Sequence, residues 1–407
     1  MNSHWEKEIL LADLVADKTI SLDRGRVISS VDLYKKPGVY PVYSSSAQKN
    51  GLFGNFSEYD FDEELITWSV DGGGYFFYRP KHRFSVTNVA GILRVNKPVF
   101  DYKFLFYCLD YQHSNQVYDY VEKAHPSVIK KRYFIPDISI KQQRKIANIL
   151  TKMDDAISNT QAMIDKYENI KKGLMQDLLT KGIDENGNIR SEETHQFKDS
   201  PLGRIPVEWD VRKLGDFISA IDPQPDHRTP PDVENGIPYI GISDVTKKGE
   251  IDFSEARTVG ENVFLKQNKS FQLMTGDIIF GKIGTIGKPT LLPQYNNFKY
   301  TLSANVILIK PKINSDFIYY SLLSHYIENQ ILLSIHSTSQ PAFGMKKIRD
   351  LQILIPNLDT DEILKISTAL KIVFDTISNF ENKLEKMKCK KVGLMQDLLS
   401  GKVRVKI

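Results

Sequence analysis

The heptapeptide GLMQDLL stands at 173–179 and again at 393–399, an offset of 220 residues. The register runs backwards from both copies without a gap. Lys171 meets Lys391, Lys166 meets Lys386, and Ile157, Ser158 and Asn159 meet Ile377, Ser378 and Asn379. Asp155 falls on Asp375, Leu150 on Leu370, Ile146 on Ile366, and Ile135-Pro136 on Ile355-Pro356. Seven consecutive identities in one register mark a duplicated element, so the fold must be internally repeated.

The apolar spacing identifies that element. In the first copy it runs Ile146, Leu150, Met153, Ile157, Thr160, Ile164, Tyr167, Lys171, Leu174, Leu178. In the second it runs Ile366, Leu370, Val373, Ile377, Phe380, Leu384, Met387, Lys391, Leu394, Leu398. Steps alternate between three and four, the mark of a coiled-coil seam. Proline is absent from 141–180 and 358–400. The spacing therefore predicts two helices of about 38 residues, each roughly 57 Å long, ending near Gly182 and Gly401. Because the seams match, the helices are expected to pack on each other through Ile146, Leu150, Ile157, Ile164 and Leu174 of one and Ile366, Leu370, Ile377, Leu384 and Leu394 of the other.

The rest of the chain divides around these helices. A first globular block covers 1–140, the first helix 141–180, and a polar linker with a turn signal at Gly187 covers 181–208. A second block covers 209–357, the second helix 358–400, and a tail 401–407. Each block opens with a Trp followed five residues later by a Leu (Trp5 and Leu10; Trp209 and Leu214). Strand-like runs then recur in order: YPVYSSS at 40–46 with IPYIGISDV at 237–245, ELITWSV at 64–70 with GDIIFGKI at 276–283, and FSVTNVAGILRV at 84–95 with YTLSANVILIK at 300–310. The expected fold class is α+β, two similar domains with diverged loops separated by two long antiparallel coiled-coil helices, related by a quasi-twofold repeat.

Composition excludes several classes. Hydrophobic residues at 41% and charged residues at 26% fit a globular chain and argue against wholesale disorder. Two cysteines, Cys108 and Cys389, are too few for a disulfide framework or a zinc cluster. No run of about 18 apolar residues marks a membrane span, and acids interrupt the short apolar run of MNSHWEKEILLADLVADK, so a signal peptide is not expected. These readings point to a cytoplasmic protein. The net charge of +4 decides nothing about nucleic acid, because a basic face can sit within a near-neutral total.

Catalytic motifs are missing. GKIGTIGKP at 281–289 has five residues between Gly281 and Gly287 rather than four, and Pro289 stands where a phosphate loop carries Ser or Thr. VDGGGYFF at 70–77 lacks dinucleotide spacing. The histidines have no metal spacing, no Ser lies in GxSxG, and no Asn-Pro-Pro-aromatic tetrad occurs. The expectation is a non-enzyme with no metal site and no cofactor of its own.

What the loops offer is cations, aromatics and small polar groups. YFFYRPKHRF at 75–84 and EKAHPSVIKKRYF at 122–134 do so in the first block. Lys282 and Lys288 flank the glycine hairpin of the second, where HSTSQPAFGMKKIR at 336–349 supplies Ser, Gln and Lys. Phosphates need cations and base edges need Arg, Asn, Gln, Ser or Lys, so double-stranded DNA is a ligand both sets can serve. An ordinary solvated surface uses the same residues.

The entry QQRKIANILTKMDDAI, the end KKGLMQDLLTKG, the segment FKDSPLGRIPVEWDVRKLGDF and the loop GDIIFGKIGTIGKP together resemble the specificity subunits of type I restriction–modification systems. The likeness spans nearly the whole chain. The lead ISIKQQRKIA and the later NLDTDEILKIS depart from the family's helix entries. The resemblance implies that each block is a target recognition domain reading one half of a bipartite asymmetric DNA site. It implies that the helices hold the readers apart and bind two methyltransferase subunits, with restriction (motor) subunits joining through them. S-adenosylmethionine, ATP and Mg then belong to the partner chains, and DNA methylation is theirs. Carried over loosely, the DNA-contacting residues are Ser44, Ser45, Lys81, His82 and Arg83 in the first domain, and Lys282, Lys288, Gln340, Lys346 and Lys347 in the second. Partner contacts are expected along exposed helix faces, including 172–179 and 392–399. Two rivals stand beside this reading: the recognition subunit of a related system whose partner fuses methyltransferase and nuclease, and a coiled-coil adaptor binding no DNA.

Overall fold

The structure, a computed structural model, describes residues 4–71, 73–114, 116, 123–224, 229–246, 249–293, 299–335 and 342–406. The chain forms two compact units, residues 1–162 with 380–407, and residues 163–379.

In the first unit a six-stranded sheet has the order Ile20–Arg24, Ala90–Val95, Phe61–Ser69, Phe76–Val86, Tyr40–Tyr43, Leu52–Phe56. Only Tyr40–Tyr43 and Phe76–Val86 pair in parallel. Side chains alternate across a strand, so Phe61–Ser69 serves two cores at once. Leu65 joins Phe84, Val86, Ala90 and Ile92 on one face. Ile66 and Trp68 join Phe76 and Leu93 on the other, against the helix Tyr102–His113. That helix begins at Asp101, whose carboxylate accepts from the Phe104 amide at 3.0 Å and so satisfies one of the unpaired first-turn donors.

The second unit repeats the pattern. Its four-stranded sheet runs Ile218–Ile221, Val306–Pro311, Ile278–Gly281, Gly287–Leu291, the same order as the first four strands above. The helix Ser315–Leu322 follows Val306–Pro311 as Tyr102–His113 follows Ala90–Val95, and Asn314 caps the Phe317 amide at 2.9 Å. Asp210–Lys213 pairs antiparallel with Gln352–Ile355 as Glu8–Leu10 pairs with Phe134–Pro136. The units therefore share the order of these four strands and differ beyond it: Asp232–Ile240 pairs with Thr258–Val259 and Thr301–Leu302 in a separate three-stranded sheet, where the first unit's sheet continues through Tyr40–Tyr43 and Leu52–Phe56. A ten-residue helix, Glu261–Ser270, sits before the second unit's central hairpin, which is shorter than that of the first.

The long helices are Ile140–Leu178 and Glu362–Leu399. Ser139 and Gln142 cap the first reciprocally: the Ser139 amide donates to Gln142 Oε1 at 3.2 Å, and the Gln142 amide to Ser139 Oγ at 3.4 Å. Within the first unit Asp154 pairs with Lys391 at 2.6 Å and Thr160 Oγ1 meets Met387 Sδ at 3.6 Å. One number rises as the other falls, so the helices run antiparallel there. Of the predicted seam, Ile146, Leu150, Ile164, Ile366, Leu370, Ile377 and Leu384 are buried, while Ile157, Leu174 and Leu394 are half-buried.

Two expectations are corrected by the packing. The repeated helix ends are not open partner faces throughout. Leu178 and Leu179 enter the core of the second unit with Trp209, Ile366 and Leu370. Met395, Leu398 and Leu399 enter that of the first with Trp5, Ile146 and Leu150. What stays exposed is Lys172, Gly173 and Gln176 in one copy and Val392, Gly393 and Gln396 in the other. The segment 181–208 is likewise no bare linker. Half-buried Arg190 forms an ion pair with buried Glu362, whose carboxylate also accepts from the Ile183 amide at 2.9 Å and from Trp209 Nε1 at 3.3 Å. A polar sequence conceals this because its anchor lies 172 residues away.

Candidate nucleic-acid interface

The first unit gathers its predicted residues on two neighbouring strands. Tyr40–Tyr43 leads into the serine loop and lies beside the end of Phe76–Val86, with Val42 opposite Ser85 and Tyr43 opposite Val86. On the hairpin partner Glu63 faces His82 and Leu65 faces Arg79, so Phe76–Val86 carries one extra residue there. Such a bulge re-aims side chains, and Lys81 stands exposed with no ion pair among the described residues.

The other four are more constrained. Ser44 Oγ accepts from Thr87 Oγ1 at 2.8 Å, and Ser45 is half-buried. His82 Nδ1 lies 2.6 Å from the Pro80 carbonyl, to which it can only donate, and Nε2 lies 3.2 Å from the Tyr43 hydroxyl. Its ring stacks on Phe84 with centroids 4.6 Å apart. Arg83 reaches Asp62 at 3.4 Å and lies over the Tyr59 ring at 4.9 Å; hydrogen bonding to Tyr40 and Asp62 raises its pKa. Nearby cations are also paired, Arg26 with Asp60 at 2.9 Å and Arg94 with Glu63 at 2.7 Å. The face is polar and aromatic with few unpaired charges.

Arg79, absent from the predicted set, is the most unusual residue of this face. It is 1% exposed. Its guanidinium lies 3.6 Å from the centre of the Tyr43 ring, and Nε donates to Thr67 Oγ1 at 3.0 Å. Nη1 and Nη2 are buried with no hydrogen-bond partner among the described residues. Burial pulls its pKa down to about 10, so it stays charged at neutral pH. Sequence offered one sign, an Arg between aromatics in FFYRPKHRF, but the exposed neighbours carried the same sign.

In the second unit the glycine segment is a hairpin tip. Gly281 pairs with Gly287, and a strand rather than a helix follows, so the geometry is not that of a phosphate loop. Ile283 bridges Ala342, and the Phe343 amide donates to the Lys282 carbonyl at 2.9 Å, which brings the hairpin against the start of the lysine segment. Three predicted contacts are already engaged within the fold. Lys282 is buried in an ion pair with Asp222 at 2.6 Å. Lys288 Nζ donates to the Val245 carbonyl at 2.8 Å. Lys347 Nζ donates to the carbonyls of Ser334 and Ala342 at 3.2 and 3.3 Å. Lys346 is exposed, and Gln340 lies outside the described residues. A surface lysine and a buried one read alike in sequence, since burial depends on residues distant in the chain, here Asp222.

Among the described residues no three His, Cys, Asp or Glu side chains cluster as a metal site, and no helix is long and apolar enough to cross a membrane.

Comparison with known proteins adds to this geometry. Residues 9–169 and 206–389 each match the type I restriction modification DNA specificity domain, once per repeat. The chain is 26% identical over 392 residues to the type I restriction enzyme MjaVIII specificity subunit of Methanocaldococcus jannaschii, covering 91% of this chain and 87% of that one. The fold resembles the crystal structure of the type I restriction–modification S subunit from M. genitalium, with a TM-score of 0.65 at 15% identity and coverage of 100% and 97%. A further resemblance, with a TM-score of 0.51 at 12% identity and coverage of 99% and 100%, is to a chain from a structure concerned with assembly and conformational transition of the type I system.

Proposed function

We propose a function from one premise: this chain belongs to the family of type I restriction–modification DNA specificity proteins. It is the specificity subunit that selects double-stranded DNA for such a complex, each unit reading one half of a bipartite asymmetric site. The observation that carries this is the shared sheet order of two units whose connections differ. A duplicated reader makes two contacts of one kind, as dimeric DNA-binding proteins do, while unlike loops present unlike side chains to the bases.

The helices supply the docking surface for two methyltransferase subunits. Gly173 and Gln176 recur as Gly393 and Gln396, exposed in both copies, and a Cβ on either glycine would meet nothing within 4 Å. Gly within a helix costs about 0.5–1 kcal/mol relative to Ala. With no intrachain contact to require it, the repeated glycine suits close approach of a partner backbone, and two like surfaces suit two copies of one partner. The chain itself is non-catalytic; S-adenosylmethionine, ATP and Mg act on partner subunits, which include the restriction subunits.

The test is genome-wide adenine methylation in the host with the gene intact and deleted. Loss of one split motif of two unequal short half-sites is the expected result. An unchanged methylome, with the partner subunits expressed, overturns the reading and favours an adaptor.

A further inference from the structure

Arg79 and the loop above it form a pair of uncomfortable neighbours. Exposed cations are well solvated, and a buried guanidinium normally has its N–H groups satisfied. Arg79 keeps its Nε bond to Thr67 and lies over the rings of Tyr43 and Phe77, with Tyr43 also favouring its charge, while Nη1 and Nη2 are buried with no well-formed hydrogen bond among the described residues.

The turn 44–51 lies against Nη2. The Ser44 amide donates to the Gly51 carbonyl at 2.8 Å and closes the loop. A Cβ on Gly51 would stand 3.1 Å from Arg79 Nη2, so glycine lets the backbone settle on the guanidinium. Three successive residues there have positive φ: Lys49 at 49°, Asn50 at 54° and Gly51 at 76°. A lysine in that region is sterically costly, and such strain collects at switch and binding segments. Residues 46–50 are all exposed, so lifting the loop forfeits little apolar burial. The closed state is thus unfavourable on both sides of one contact, and opening relieves both.

We propose that Arg79 is a DNA-contacting residue held beneath the 44–51 loop: when the loop lifts, Nη1 and Nη2 bond two acceptors set side by side on duplex DNA. Phosphate oxygens and the O6 and N7 edge of guanine both have that arrangement. Nε remains on Thr67 and the plane remains on Tyr43, so the fork meets DNA already oriented. This rests on the DNA-reading function proposed above.

The test uses the full chain and a randomised duplex oligonucleotide pool, with affinity and enriched sequence compared between wild type, Arg79→Met and Arg79→Lys. Arg79→Met is expected to bind about tenfold or more weakly while melting at the same or a higher temperature, because it removes an unsatisfied buried charge. A purely structural arginine predicts the reverse, lower melting and unchanged binding, and that result overturns the proposal. Should the Met variant not fold, Arg79→Lys decides: it keeps the charge and stem but lacks the fork, and wild-type binding by it overturns the proposal. Amides 44–51 should exchange hydrogen faster when wild type binds duplex; unchanged exchange is also fatal. Uniform loss on every sequence with a salt dependence shallower by about one counterion identifies a phosphate. Loss of preference at a single guanine with unchanged salt dependence identifies a base. Wild type that binds no member of the pool removes this inference together with the function beneath it; binding equal in wild type and variants removes this inference alone.

Discussion

The indole Nε1 of Trp5 donates a 2.8 Å hydrogen bond to the carbonyl of Leu399, 394 residues along the chain. This bond docks the end of the second long helix into the core that the beginning of the chain builds. Trp209 holds the same place in the second unit, where the end of the first long helix enters its core. Each unit is therefore completed by the end of a long helix, in the first unit one that comes from the far end of the chain, and the repeated GLMQDLL is the piece that completes it.

The helix stops depend on glycine in both units. Gly401 has φ of 76°, and a Cβ there would lie 2.7 Å from Cδ2 of the Trp5 ring; Gly182, at 67°, would press a Cβ on Trp209 and Glu362. Gly401→Ala and Gly182→Ala should each lower stability by about 1–3 kcal/mol, read from the denaturant midpoint.

The internal glycines should behave oppositely. Gly173 and Gly393 have helical conformation and open space where a Cβ would go. Gly173→Ala and Gly393→Ala should stabilise the chain by about 0.5–1 kcal/mol. A bulkier Gly173→Leu should leave folding intact and weaken association with the methyltransferase, measured by co-purification.

Lys282 should prove a structural residue. Removing one member of a buried ion pair strands the other, at about 3–5 kcal/mol. Lys282→Ala or Asp222→Ala should destabilise by this order, and the double replacement Lys282→Met with Asp222→Leu should recover much of the loss. Urea unfolding of the three variants checks it.

Lys81 and Lys346 are the exposed cations of the predicted sets that have no ion pair or hydrogen bond among the described residues. Charge reversal at either should weaken duplex binding and reduce the slope of log affinity against log salt by about 0.9 if it meets one phosphate. A salt titration of Lys81→Glu and Lys346→Glu measures this.

His113 gives the first unit a pH response. It is buried, with Nδ1 3.2 Å from the Tyr133 hydroxyl, and desolvation lowers its pKa below the ordinary 6.5. The folded state resists protonation that the unfolded chain accepts, so the unfolded state binds more protons and stability rises with pH. The contribution is present above the unfolded value and is lost as pH falls from about 6.5 through the lower folded value. Melting temperature from pH 7.5 to 5 should fall more steeply in wild type than in His113→Gln.

Local order and repetition were legible in the sequence. Heptad spacing is a property of residues three and four apart, so Ile146, Leu150, Ile366 and Leu370 declared their helices and their buried face directly. The matched runs at 64–70 and 276–283, and at 84–95 and 300–310, declared the equivalent strands, because period-two burial is also local.

The fate of each polar side chain was decided by the tertiary structure alone. Lys282 and Lys346 are the same residue type, yet Lys282 is buried against Asp222 while Lys346 stands exposed on the short helix Met345–Asp350. Arg190 looked like linker until Glu362 closed on it. Arg79 differed from Arg83 by four positions, but a strand bulge and the 44–51 loop placed its guanidinium inside. The amino-acid order by itself determined the two long helices, the duplication and the family. Which charges remain free to meet DNA depends on contacts between residues far apart in the chain, and no local pattern encodes those.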